Sequence, residues 1–354
     1  MTNHVICAFC NARSVRNKLR DINCLLTVEN IDVLAVAESW LTENDPDYIF
    51  KILSHNIFRR DRNSKGGGLL LLVKKNIRIK QTLIDKNFEI LCVDMYFGKK
   101  LVRYIVLYIP HPSSKILKQY LRQIKSLLNF SGICVIMGDF NIDYDLVVKS
   151  DLSKHDCESI MKKFITKNQP LFQFVFEPTR LNRAIDLVFS NSKTFVFNLQ
   201  IKDPLGHSDH NLLIFKCLIN KPKVQIVSTL AFSQSNYNDI NKYISNLNIL
   251  SIIKIGDPNI SWSQFCNILK HIIDKFVPTF KFDPNCKIFI NAKLKKLIIK
   301  KFKFWKKYKN TKSALALRKY RDIKNKIRQM LKDQEKFKLK RLFKSKPQDV
   351  YKYI

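Results

Sequence analysis

An apolar run that ends in Gly-Asp-Phe-Asn (VIMGDFN, 135–141) sets a carboxylate and a carboxamide at the mouth of a buried strand. Downstream, in order, come IDLVFS (185–190) and SDHN (208–211). Brought to one strand mouth, these groups suit phosphodiester hydrolysis with a divalent metal. One carboxylate takes a proton from water, an amide donates to a phosphate oxygen, a carboxylate-supported imidazole stabilises its charged form, and hard oxygen atoms hold the cation.

Each residue also has an ordinary structural reading. Asn11 follows the apolar run 5–9 and, read alone, is a turn former. Glu38 directly follows the buried-strand pattern 33–37, where a carboxylate needs a cation or hydrogen-bond donors and would suit Mg²⁺. Its alternative is a helix-start or surface glutamate. Tyr108 ends another apolar run, as a packed strand-end ring or as a phenol facing a phosphate. Asp139 and Asn141, two apart on an extended backbone, face the same way; the alternative is an Asx turn that closes the strand. Asp186 interrupts an apolar strand, which is costly without a donor. His210 is the candidate donor, an imidazole held in one tautomer by the carboxylate. The other histidines, His207 included, receive no role.

The elements that must position these groups are legible up to about residue 218. Short apolar runs bounded by turn residues predict strands over 5–10, 33–37, 68–73, 90–96, 104–108, 133–138, 185–189 and 212–217. Many are continuous apolar runs, as strands covered on both faces require. Helical patterns fall over 15–30, 114–129 and 154–168. The mixture predicts a layered α/β domain with its sheets in the middle. After Lys221-Pro222-Lys223, read as a linker, amphipathic helices are expected over 238–246 and 261–276. One continuous helical stretch is expected over 293–343, with no glycine or proline to interrupt it. Trp305, Tyr308, Leu317, Tyr320, Ile323, Ile327 and Met330 give that stretch an apolar stripe on a basic rod.

Composition narrows the class further. Hydrophobic residues are 46% of the 354-residue chain, which excludes global disorder. The net charge of +34 implies a polyanionic partner, nucleic acid before an anionic membrane. Residues 287–354 hold 25 Lys and Arg against 4 Asp and Glu, so +21 of the total sits there. The expected division is therefore 1–219, a helical connector over 220–286, and a basic helical extension over 287–354. The nine cysteines read as free thiols of an intracellular protein, with Cys7, Cys24, Cys92, Cys134 and Cys217 as small hydrophobes. No signal-peptide pattern and no bilayer-length apolar run is present, so a soluble chain is expected.

Residues 5–218 resemble the endonuclease/exonuclease/phosphatase superfamily, specifically the apurinic-endonuclease-like endonuclease domain of non-LTR retrotransposons. The resemblance is carried by CAFCNARSVRNK (7–18), LAVAESWL (34–41), FRRDRNSKGGGLLLLVK (58–74), VLYIPHPSS (106–114), VIMGDFNID (135–143), EPTRLNRAIDLVFSN (177–191) and GHSDHNLLIF (206–215). It implies a four-layered α/β sandwich, two packed β-sheets flanked by helices, with a C-terminal all-α basic extension. It also implies nicking of a DNA substrate with Mg²⁺, for which Mn²⁺ substitutes, and a nuclear setting.

Residue by residue, the resemblance makes Asn11 and Glu38 metal-site positions, with Asp209 a second acidic position near the metal. Tyr108 is the phosphate-contacting tyrosine, Asp139 the residue that orients or deprotonates water, and Asn141 a phosphate ligand. Asp186 is the carboxylate paired with the phosphate-binding His210, and Thr179 and Ser208 are supporting polar positions. Arg13 departs from repair relatives, which carry an aspartate there.

Beyond residue 220 the resemblance is to the connector that precedes a reverse transcriptase, with retroelement RNA a second partner for the basic tail. No Y-x-D-D-like box follows, so the piece is expected to lack the polymerase. Competing readings are a non-catalytic nucleic-acid-binding remnant and a phospholipid or inositol phosphate phosphatase.

Overall fold

The computed structural model describes residues 4–50, 52, 54–62, 66–167, 171–219, 227–230, 232, 235–247, 257–282 and 291–343. The linker at 221–223 and the terminal stretch 344–354 lie outside them. Two six-stranded mixed sheets form the centre. The first contains β1 (Val5–Asn11), β2 (Val33–Ala37), β3 (His55–Arg60), β4 (Leu69–Lys74), β11 (Val196–Lys202) and β12 (Leu212–Cys217). Its order is β11-β12-β1-β2-β4-β3, and β1 and β2 run parallel. The second contains β5 (Arg78–Ile84), β6 (Ile90–Phe97), β7 (Lys100–Tyr108), β8 (Ile133–Asp139), β9 (Phe172–Gln173) and β10 (Asp186–Ser190). Its order is β5-β6-β7-β8-β10-β9, and β7 and β8 run parallel.

The two-residue strand period explains why the central strands are apolar throughout. Val5, Cys7, Phe9, Val33, Ala35, Leu69 and Leu71 share one core cluster with residues of the second sheet. The alternate residues Ala8, Cys10, Leu34, Val36, Leu70 and Leu72 pack against Ile22 and Leu26 of α1 (Leu19–Val28). On the second sheet, α2 (Ser114–Leu128) and α4 (Cys157–Lys167) contribute Leu117, Leu121, Ile124 and Met161 to the first cluster. A short helix, α3 (Tyr144–Lys149), follows the strand that carries Asp139. The layers are thus helix, sheet, sheet, helix, the expected α/β sandwich.

All eight predicted strands exist, within a few residues at each end. Within the two six-stranded sheets the four not predicted, β3, β5, β9 and β11, are the four sheet edges. An edge strand has a solvent-facing side, so it lacks a continuous apolar run; β5 has no buried residue at all.

The chain divides into two compact units. The smaller pairs β13 (Val227–Leu230) with β14 (Thr279–Phe282) and contains α5 (Tyr237–Ser245) and α6 (Pro258–Phe276). Within it the Tyr243 and Phe276 rings lie 5.2 Å apart. Helix α6 starts at Pro258, earlier than expected, because Asp257 caps it with a 2.8 Å bond from Asn259 N.

The larger unit includes the basic C-terminal helices, and here one expectation fails. The stretch 293–343 is two helices, α7 (Ala292–Thr311) and α8 (Ala314–Phe343). Lys312 sits between them in the left-handed region at φ 52°, and the Ser313 hydroxyl accepts from Ala316 N at 3.4 Å. Asn310, Thr311 and Ser313 favour caps over helix interiors, so a break needs neither glycine nor proline. The apolar stripe is covered: Ile327 and Leu331 of α8 and Leu294 of α7 bury against Cys24 of α1. Among the described residues, no helix is long and apolar enough to cross a membrane.

Candidate active site

Both sheets deliver residues to the same edge. Asn11 is the last residue of β1, and Glu38 lies directly beyond β2, whose Ala37 is in register with Asn11. On the second sheet Tyr108, Asp139 and Asp186 form one rung across β7, β8 and β10. Gly138 permits that rung, because a Cβ there would lie 2.3 Å from the Leu107 carbonyl oxygen on β7. His210 lies just before β12, bridged to Arg180.

Asn11 joins the two sheets. Fully buried, its Nδ2 donates to Glu38 Oε1 at 2.8 Å and to Asp139 Oδ2 at 2.9 Å. The His210 Nδ1 lies 3.0 and 2.9 Å from the two Asp186 oxygens and 3.9 Å from Asp139 Oδ2. A carboxylate only accepts, so the proton sits on Nδ1 and leaves Nε2 for other work. Thr179 and Ser208 serve this frame. The Thr179 hydroxyl accepts from the N–H groups of Ile185 and Asp186 at 3.2 and 3.1 Å. The Ser208 hydroxyl donates to Asn11 O at 2.6 Å and accepts from His210 N at 3.1 Å.

Burial shifts the protonation of these groups. The carboxyl of Asp139 is pushed up to about 7, first by burial and then by the Asp186 charge. For His210, burial alone works downward; the hydrogen bond and charge of Asp186, with Asp139 and Asp209 behind it, outweigh that and raise it. Burial, then the charges of Glu38 and Asp139, lifts the Tyr108 phenol far above its ordinary value.

One expectation for an individual residue changes. Asn141 does not extend the strand beyond Asp139: it has φ 52°, and its N–H donates to Asp139 Oδ1 at 2.9 Å. The side chains therefore do not share a strand face, and the Asx-turn alternative describes the backbone. The Asn141 Nδ2 donates to Ile109 O at 2.9 Å, which ties the loop after Tyr108 to the site. Asp209 is held by two arginines, with Arg180 Nε and Nη2 at 2.8 Å and Arg13 Nη1 at 3.3 Å. Burial works to raise its carboxyl, but the Arg180 charge, with His210 and Arg13 also close, holds it below its ordinary value.

Sequence reasoning missed the supports behind these groups. Glu38, Trp40, Arg13, Ser14, His111, Asn141 and Leu181 are non-glycine residues with positive φ, gathered in the loops at this edge. The three-glycine run explains how Glu38 is held there. Ser39 N and Trp40 N donate to the carbonyls of Gly68 and Gly67, and a Cβ on Gly68 would lie 2.6 Å from Ser39 Oγ. The buried Glu89 accepts from Gly68 N at 2.6 Å. Arg180 was visible only as part of P-T-R, since its partner is 29 residues away. Beside Asn141 opens a cleft of about 580 Å³, lined by His111, Ser113 and Asp156 among others.

The donor set fits a hard divalent cation. Ligand atoms of Asp139, Asp186 and His210 lie within 4.8 Å of one another; with His210 kept protonated by Asp186, the oxygen donors there are the carboxylates, and Glu38 is tied to Asp139 through Asn11. The buried Asp209 Oδ1 accepts no hydrogen bond, and its charged neighbour is Arg13 Nη1 at 3.3 Å. Crowded carboxylates, one with a raised pKa, are relieved by such an ion.

The sequence profile of the Endonuclease/Exonuclease/phosphatase family matches residues 7–210, and the chain belongs to that family. Its members are metal-dependent hydrolases that act on phosphodiester bonds. No curated protein matches the chain. Among solved structures it is similar to the endonuclease domain of TRAS1, a telomere-specific non-LTR retrotransposon. The TM-score is 0.50 at 14% identity, covering 62% of this chain and 100% of that one. It is also similar to a Neisseria 3′ phosphatase, NExo, bound to a product DNA hairpin (TM-score 0.50, 13% identity, 60% and 99% covered). A 3′-5′ exonuclease (NExo) from Neisseria meningitidis gives TM-score 0.50 at 12% identity over 60% and 99%. At these identities the likeness is one of fold.

Proposed function

We propose that this chain is a divalent-metal-dependent endonuclease that nicks DNA, drawn from a non-LTR retroelement and acting on nuclear DNA. One observation carries the reading: the Asn11 amide ties Glu38 to Asp139 beside a buried Asp186–His210 pair. Glu38, Asn11 and Asp209 would hold Mg²⁺, with Mn²⁺ as a substitute. When bound, the ion neutralises charge that builds on the phosphate and the leaving oxygen.

The chain's own residues supply the rest. Asp139 takes the proton of the attacking water, a role favoured by the burial and the Asp186 charge that raise its carboxyl. Each Asp139 oxygen accepts one hydrogen bond, Oδ2 from the Asn11 amide and Oδ1 from Asn141 N, which orients the carboxylate and leaves a second lone pair for that proton. His210, kept charged and oriented by Asp186, donates from Nε2 to a non-bridging oxygen, and the second amide hydrogen of Asn141 serves another. The Tyr108 phenol keeps its proton and donates it as a hydrogen bond to phosphate. The product on this reading is a 3′-hydroxyl, which would prime reverse transcription in the parent element. The division into endonuclease, connector and basic extension, and tail binding to retroelement RNA, belong to the same proposal.

Incubation of supercoiled plasmid with Mg²⁺ tests it. Wild-type protein should relax the plasmid, while Asp139→Ala and His210→Ala should each lose at least about 10²-fold in rate. No relaxation by wild type, with DNA still bound, would leave a nucleic-acid-binding remnant. Equal rates in all three proteins would remove these residues from the site.

A further inference from the structure

We propose that the C-terminal helices α7 and α8 act as a clamp that positions the loop carrying Ser208, Asp209 and His210, with Tyr320 and Arg328 as its positioning residues. The loop runs from Asp203 to Asn211, between β11 and β12. On its inner side it is fixed by the Ser208 hydroxyl on Asn11 O and by Asn211 N donating to Thr179 O at 2.8 Å. On its outer side two residues of the loop reach the helices. Buried Asp203 accepts from the Tyr320 hydroxyl of α8 at 3.3 Å and pairs with Lys301 Nζ of α7 at 2.8 Å. His207 Nε2 accepts from Arg328 Nη1, and Arg328 Nη2 lies 3.5 Å from Asp21 of α1. His207 is the neighbour of Ser208, so the outer restraint meets the inner one across a single peptide bond.

Apolar packing alone would hold these helices to the domain, through Cys24, Leu294, Ile327 and Leu331. Such contacts slide at little cost, because they are not directional. The polar set does not. Lys324 donates to the Tyr320 hydroxyl at 3.1 Å, and burial draws its amine down to about 8. Setting two half-buried lysines against a buried tyrosine and aspartate adds little net stability, but it fixes one geometry. That geometry is set at Asp203 and His207, seven and three residues before His210.

The kinetic half of this inference rests on the nuclease reading above; the structural half does not. The test uses the full chain with Tyr320→Phe and Arg328→Gln, alone and combined, and Arg328→Lys as the conservative variant. Plasmid nicking, thermal midpoint and amide hydrogen exchange of residues 203–211 are read on each. The combined variant should lower kcat about tenfold with KM nearly unchanged, the size of effect a sub-ångström misplacement produces. Exchange over 203–211 should quicken about tenfold while the thermal midpoint stays within a few degrees, and Arg328→Lys should recover most of kcat.

Unchanged exchange in the loop would overturn the clamp. So would a raised KM at constant kcat, which would make these side chains DNA contacts. If the wild type does not nick, exchange still decides the clamp while the nuclease reading falls. Tyr320→Phe removes one hydroxyl from a buried ring and keeps the test valid should Arg328→Gln fail to fold.

Discussion

The site edge and the C-terminal helices both concentrate ionisable groups, by opposite means. At the edge, Asp139, Asp186 and His210 are each at most 1% exposed, and every one is tied to a short, fixed partner. From residue 292 to 343 stand 21 Lys and Arg against 3 Asp and Glu, and most of the Lys and Arg up to residue 337 are exposed. Buried like charges repel strongly, shift one another's protonation and require placed donors or a cation. Exposed like charges are screened by solvent and salt, so many fit without partners. Few groups with exact neighbours suit chemistry; many groups without them suit a long polyanion.

Three measurements can break or sharpen that contrast. The largest effect should follow Asp186→Asn. Loss of the partner charge lowers the raised His210 pKa, so the imidazole deprotonates at lower pH. Nicking should fall at least about 10²-fold at neutral pH and its alkaline limb should move toward acid; an unmoved pH profile would detach His210 from Asp186.

Next comes replacement of the exposed Lys306, Lys307, Lys312 and Lys326 by alanine. If all four meet phosphates, the slope of log K against log salt should flatten by up to about 3.6. An unchanged slope would remove the helices from the nucleic-acid surface.

The smallest effect should be a gain in stability. Because the Asp139 carboxyl is raised to about 7 in the fold, the folded state holds a proton that the unfolded chain has lost above its ordinary pKa. Stability without metal therefore falls as pH climbs through that window and stays lowered above it. Asp139→Asn should raise the metal-free thermal midpoint at pH 8 by a few degrees, on the order of 2–4 °C per kcal/mol relieved. The gain should vanish near pH 4. A midpoint lowered at both pH values would mean that Asp139 is not strained by its neighbours.

The central strands were legible because a strand covered on both faces is apolar at every position, as in Val33–Ala37. Edge strands such as Arg78–Ile84 carry no such signal, since half of each lies in solvent. Strand-end residues were legible by position, and the structure does gather Asn11, Glu38, Tyr108, Asp139, Asp186 and His210 at one edge. Their supports were not. Asn11 reaches Asp139 across 128 residues, and Tyr320 reaches Asp203 across 117. Local pattern carries no information about such pairings. The helix break at Lys312 was readable from Thr311 and Ser313, whose hydroxyls make capping bonds, but only when glycine and proline are not taken as the sole stop signals.

The rung formed by Tyr108, Asp139 and Asp186 makes catalysis an audit of strand alignment. Slipping β8 by one residue would bring Gly138 beside Asp186 and turn the carboxylate to the opposite face of the sheet. A misaligned molecule could keep most of its apolar burial and still be inert. For this protein, the fraction of active molecules would count those whose second sheet closed in the right register, which thermal stability alone would not reveal.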